Sequence, residues 1–262
     1  TLKTPNGNRD NVLGGSATYI CLSASYFNNS SNLVSIVGGD FSDKNINLLK
    51  THGIDCDGLE IINNEKTFFW SGRYHKNMNL RDTLETRLNV LENFNPKIPD
   101  KYQDCKYLML ANIIPSAQLA AINNLSNKPK LIVTDTMNLW MNNCLDDLLD
   151  VISKTDVLII NDEEALQLSK MNNLTDASHK IQTMGPSFLI IKKGEHGAYL
   201  FRKDKMFYCP SFLVKRPVDP TGAGDTFAGA FIGHLSDSDN VSFNNMKIGI
   251  IKACAMASFC VE

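Results

Sequence analysis

"DVLIINDEEALQLSK", residues 156–170, is an apolar run that turns abruptly into a helical pattern. Val157, Leu158, Ile159 and Ile160 follow one another with no polar face, which suits a strand covered on both sides. Three acidic residues then open a run with helical spacing, where carboxylates favour the positive end of a helix. The same alternation recurs on either side. "LVSIVG" (33–38), "KYLMLAN" (106–112), "KLIVTD" (130–135) and "FLIIKK" (188–193) read as strands. Between them, 40–53 (closed by Gly53), 116–126, 144–154 and 177–185 read as helices. Strand–helix alternation predicts an α/β fold, a doubly wound and mostly parallel sheet flanked by helices, with ligands gathering at the carboxyl ends of its strands.

Residues 58–94 break the pattern, mixing strand-like alternation with polar, charged and aromatic residues, and read as a small β lid inserted in one domain spanning 1–262. The chain starts without Met and stops after the apolar stretch 248–261, which reads as a buried helix, so a domain truncated at both ends is the expectation. Composition is that of a globular protein, 43% hydrophobic and 21% charged, and a net charge of −2 offers no electrostatic footprint for nucleic acid or an anionic membrane. Seven scattered cysteines without a Cys-x-x-Cys pair read as reduced thiols of a cytoplasmic protein.

The chemistry concentrates in "DPTGAGDTFAGAF", residues 219–231. The strand-like "FLVKRPV" (212–218) leads into it, and a helix follows. A helix start exposes unpaired N–H groups, and the small residues Gly222, Ala223 and Gly224 let an anion such as a phosphate approach them. Asp225 is either a plain helix cap or a base that takes the proton of an alcohol in phosphoryl transfer, with Mg²⁺ neutralising the phosphates. No G-x-x-x-x-G-K-[ST] string occurs, and Gly222, Gly224 and Gly229 do not space as a dinucleotide fingerprint.

"DPTGAGDTFAGAF" resembles the C-terminal signature of the ribokinase-like, or PfkB, sugar kinases. "LGGSATY" (13–19), "NDEE" (161–164) and "KKGEHGAYL" (192–200) resemble three further motifs of that family, in the right order. The resemblance implies a ribokinase-like fold with a β lid, and ATP-dependent transfer of the γ-phosphate to a hydroxyl of a small sugar or sugar derivative. It implies Asp225 as general base and Gly222, Ala223 and Gly224 as the anion hole. Asn161, Lys193, Gly194, Glu195, Gly197 and Thr221 would meet ATP, with Lys192 or Lys193 facing a phosphate. Glu164 would hold Mg²⁺ through water, and Asp219 with Thr221 a monovalent cation such as K⁺. Lid pairing in relatives extends the expectation to a homodimer.

On the acceptor side, Gly14, Gly15 and Ser16 would admit the substrate to the backbone. Tyr19 stands where many relatives carry Asn, and an acidic sugar contact on a first strand has no counterpart here. A phenol stacks or makes one hydrogen bond and does not reproduce an amide's paired contacts. On the lid, Trp70 and Tyr74 share one face at strand spacing, and Arg73 and His75 the other, with Arg73 free to meet an anionic substrate. Asn112, Asp135 and Asn138 end predicted strands and are further substrate contacts. Two alternatives stand beside the sugar kinase: a nucleoside kinase of the same fold, with aromatics stacking on a base, and a catalytically silent sugar- or nucleotide-binding relative.

Overall fold

The structure is a computed structural model and describes every residue except Asn6, Asn29 and Asn79. In chain order, β1 (Leu2–Thr4) and β2 (Gly7–Arg9) precede α1 (Ser16–Ser25), β3 (Ser31–Gly38), α2 (Asp43–Thr51) and β4 (Ile54–Ile62). The lid strands β5 (Phe69–Tyr74) and β6 (Arg81–Arg87) come next, then β7 (Tyr107–Leu110), α3 (Pro115–Asn123) and β8 (Leu131–Asp135). Helices α4 (Asn138–Asn143) and α5 (Leu145–Lys154) lead to β9 (Val157–Asn161), α6 (Asp162–Ser169) and α7 (Leu174–Gln182). The hairpin strands β10 (Phe188–Lys192), β11 (Ala198–Arg202) and β12 (Lys205–Cys209) precede the long helices α8 (Ala223–Ser238) and α9 (Phe243–Val261).

The central sheet has the order β12-β11-β10-β9-β8-β7, parallel from β7 to β10 and antiparallel beyond. Its alternating residues explain the unbroken apolar runs. Val157, Ile159 and Ile190 pack against α8 and α9, while Leu158, Ile160 and Leu189 meet α5, α6 and α7 on the opposite face. Ile159 is wholly buried, so Ile159→Val is expected to cost about 0.5–1.5 kcal/mol. Urea unfolding would register this as a lower midpoint at unchanged slope.

Strands β3 and β4 form a separate parallel pair and do not join the central sheet. A cavity of about 2000 Å³ runs between β3 and β7. It leaves Val34, Ile36, Leu108 and Met109 half-buried where β8 to β10 are closed off.

The lid differs from the expected 58–94 insertion. Residues 58–62 belong to β4 and pair with β3, and the lid is a four-stranded sheet of order β2-β1-β5-β6. Residues 2–9 add two strands to it: β1 runs parallel to β5, and Thr1 N donates to Trp70 O at 3.0 Å. Two further readings are corrected. Residues 212–218 form no strand; Pro210, Pro217 and Pro220 lack donors there, and Leu213 is fully exposed. The stretch 248–261 is helical within α9 but buried along one stripe, Gly249, Ile250, Ala253 and Cys254, with Ile248, Ile251 and Phe259 facing out.

Candidate active site

Helices α1 and α8 bring the two glycine-bearing turns together. They cross so closely that a Cβ on Gly229 would lie 2.3 Å from Ile20 O. Ser23 Oγ donates to Thr226 O at 2.7 Å across the same crossing. Gly15 and Gly222, the residues just before α1 and α8, therefore open onto one cavity, lined also by Gly14, Ser16, Tyr19 and Asp225. Gly222 adopts φ 78°, a left-handed conformation that glycine tolerates best. The Tyr19 ring lies against it, 2.5 Å from where a Cβ would stand. Tyr19 thus supports the turn as well as lining the cavity, and burial above all pushes its phenol up to about 12.

The anion-hole geometry is narrower than the spelling suggests. Ala223 N–H already donates to Pro220 O at 3.1 Å, and Thr226 N–H donates to Gly222 O at 2.7 Å. Among the described residues, the N–H groups of Gly222, Gly224 and Asp225 make no such backbone bond and could meet an anion. Asp219 Oδ1 accepts from Thr221 N–H at 2.9 Å, and Thr221 Oγ1 donates to Tyr74 Oη at 3.0 Å. Asp219 therefore shapes the turn, and Thr221 ties it to the lid.

Four charged side chains converge beneath this turn. Burial pushes Asp225 up to about 6, aided by Asp135; Lys192, a hydrogen bond from Ser16 and Arg81 pull it back. Glu164 is pushed up to about 7, again chiefly by burial and then by Asp135, with Lys192 opposing. Asp135 is buried and its carboxyl is also raised by burial. Lys192 Nζ lies 3.4 Å from Asp135 Oδ1. Burial would lower its pKa, but Asp135, Glu164 and Asp225 outweigh that and hold it above the ordinary lysine range.

Asn161 and Glu164 fix each other in a capping box at the start of α6. Glu164 N–H donates to Asn161 Oδ1 and Asn161 N–H to Glu164 Oε2, both at 2.8 Å. Lys193 lies 3.9 Å from Asp162. Gly194 and Gly197 shape the turn between β10 and β11, and Glu195 O accepts from Ser211 Oγ.

The remaining expected contacts divide sharply. Asn112 lines the cavity, but its Oδ1 accepts from Trp140 Nε1 at 2.9 Å. Asn138 lines it too and donates to Gln167 at 2.8 Å. Asp135 faces Lys192 and not the cavity. Arg73 is exposed and turned from the cavity, opposite Asp82, which pairs with His75 at 3.0 Å. Its place is taken by Arg81, which sequence reasoning missed. Tyr74 and Arg81 are directly opposed across β5 and β6, so both project from one face, with Trp70 and Thr83 beside them. Register carries this information, and residue type alone does not.

The profile of the pfkB family carbohydrate kinases matches residues 3–262. The chain belongs to that family. This pfkB kinase is 28% identical to the cytidine kinase of Thermococcus kodakarensis over 242 residues, 90% of this chain and 84% of that one. Its fold matches the Methanocaldococcus jannaschii nucleoside kinase with a TM-score of 0.76 at 22% identity, covering 99% of this chain and 87% of the other. A ribokinase from Thermotoga maritima matches at 0.76 and 20%, covering 99% and 88%. The pfkB kinase is thus a phosphotransferase with the ribokinase fold. No helix among its described residues is long and apolar enough to cross a membrane.

Proposed function

We propose that this pfkB kinase transfers the γ-phosphate of ATP to a sugar hydroxyl of a nucleoside. The observation that carries the reading is Asp225, a half-buried carboxyl on the same cavity as Ser16 and Tyr19 and beside the free N–H groups of the α8 start. The acceptor hydroxyl gives its proton to Asp225 while its oxygen bonds to the γ-phosphorus. The bond from that phosphorus to the β,γ-bridging oxygen breaks, and ADP leaves with the electron pair. The N–H groups of Gly224 and Asp225 take the charge that grows on the γ-phosphate oxygens.

Mg²⁺ would offset phosphate charge. Glu164 fits that role through water, since one of its oxygens is occupied by the capping box and its buried carboxylate is favoured beside a cation. Asp219 and Thr221 border the turn, where K⁺ would steady it, and turnover with and without K⁺ tests that role. The nucleoside assignment is supported by Tyr19, Trp70 and Tyr74 around one cavity and by the similarity to a cytidine kinase.

ADP release with Mg-ATP and a panel of cytidine, adenosine, inosine, ribose and fructose tests the reading. Turnover on nucleosides is expected. Turnover on free sugars alone moves the assignment to a sugar kinase, and nucleotide binding without turnover to a silent relative. With a good acceptor, kcat/KM should fall about tenfold per pH unit below about 6 and level off above it, because Asp225 accepts a proton only when ionised.

A further inference from the structure

Of the aromatic rings Tyr19, Trp70 and Tyr74, two are already engaged. The Tyr19 ring lies against Gly222. Tyr74 is buried, and its Oη accepts from Thr221 Oγ1 at 3.0 Å. Trp70 is only half-buried, and its indole lies along the lid instead of standing away from it. A Cβ on Gly72 would collide with Cη2 and Cζ2 of Trp70, so the six-membered ring covers bare backbone there. Trp70 Nε1 donates to Thr83 Oγ1 at 3.3 Å. Thr83 stands opposite Gly72 in the β5–β6 register. The indole is thus fixed at both edges, by the missing side chain at Gly72 and by the Thr83 hydroxyl. Trp70, Thr83 and Tyr74 line the cavity, so the indole backs onto the lid with one face and meets the cavity with the other. Gly72 lies two residues, about 7 Å of strand, from Tyr74, whose hydroxyl reaches the catalytic turn. One sugar ring spans that interval.

We propose that the Trp70 indole is a preformed platform on which the base of the acceptor stacks, and that Gly72 and Thr83 are its positioning residues. This deepens the nucleoside reading above and rests on it. Every base offers a π-face to an indole, whatever its edge carries. The platform therefore separates nucleosides from free sugars and discriminates little among bases. Because Gly72 and Thr83 hold the ring before the acceptor arrives, binding has little left to order. The chemistry at Asp225 is untouched, so the platform acts on KM and leaves kcat nearly alone.

Trp70→Ala is expected to raise the KM of both cytidine and adenosine about 5–150-fold, the usual worth of one stacked base, with kcat within a few-fold of wild type. Trp70→Phe should recover part of the loss. Gly72→Ala keeps the indole but pushes it off the lid, so nucleoside KM should rise again. Thr83→Val removes the acceptor for Nε1 at nearly constant shape and should give a smaller rise of the same kind. An indole that only packs the lid would lower the melting temperature and leave nucleoside KM unchanged, and that result overturns the proposal. Fluorescence gives a readout without turnover, since the chain has two tryptophans, Trp70 and Trp140. Cytidine should quench wild type, ribose should not, and Trp70→Phe should lose the response. Quenching that persists in Trp70→Phe would put the base beside Trp140 and overturn the assignment. If wild type turns over ribose or fructose but neither binds nor turns over nucleosides, the nucleoside reading itself falls and takes the platform with it.

Discussion

Asp225→Asn is expected to lower turnover about 10²–10⁴-fold, the usual contribution of a positioned base. The amide keeps the shape but does not accept the acceptor's proton. ATP binding should stay close to wild type, since the N–H groups of the α8 start are unchanged. Stability should move the other way. Asp225 titrates near 6 in the folded chain, above the ordinary aspartate value of 3.8. The folded state thus holds the proton more tightly, and this group's contribution to stability falls as pH rises from about 4 through 6. Above that window the ionised carboxylate is a burden that Asn lacks, so the variant should melt higher at pH 7.5 and lose its advantage near pH 4. Thermal melts at the two pH values, beside steady-state rates, check both halves. An unaffected rate would remove Asp225 from the role of base.

Gly222→Ala should be the most damaging single methyl group in the site. The backbone at φ 78° disfavours any Cβ by about 1–2 kcal/mol. The added carbon also meets the Tyr19 ring at 2.5 Å, so the ring or the turn must shift. Displacing the turn moves the Gly224 and Asp225 N–H groups, and losing one such donor costs about 10²–10³-fold in rate. Both the melting temperature and kcat should therefore fall. Ala223→Gly serves as the contrast, because the Ala223 N–H is spent on Pro220 and its backbone is already helical. It should cost no more than about 1 kcal/mol and leave kcat near wild type. Equal loss of rate in both variants would mean that the position of the turn does not matter to catalysis.

These expectations show the link between stability and function in the site. Asp135, Glu164 and Asp225 crowd around one lysine, and burial raises the pKa of each carboxyl. Such a cluster is poor for folding in isolation, and a bound metal cation, arriving with the nucleotide, would relieve it. Ligand-dependent stabilisation should therefore be large.

Much of the frame was readable from local pattern. Runs such as 157–160 carry no polar face, and only a strand packed between two helical layers satisfies them. Spelling alone singled out residues 222–225, because helix starts and close backbone approach restrict which residues serve; Asn161 and Glu164 were singled out only through the resemblance to the family. The mutual capping of that pair was not foreseen, although its three-residue spacing carries the signal.

Tertiary structure decided the rest, and in each case the deciding contact lies far apart in sequence. Strand β1 has three residues and no periodicity, so only its pairing with β5, some seventy residues on, reveals it as part of the lid. Arg81 rather than Arg73 faces the cavity because register with Tyr74 sets the face, and register belongs to two strands at once. Asp135 turns to Lys192 because β8, β9 and β10 lie side by side. The sequence by itself determined the strands β7 to β10 with their helices and the glycine-bearing start of α8, since those depend on neighbours along the chain. Which charges share a buried space depended on the folded arrangement, because Coulomb energies follow distance and burial and not position in the sequence.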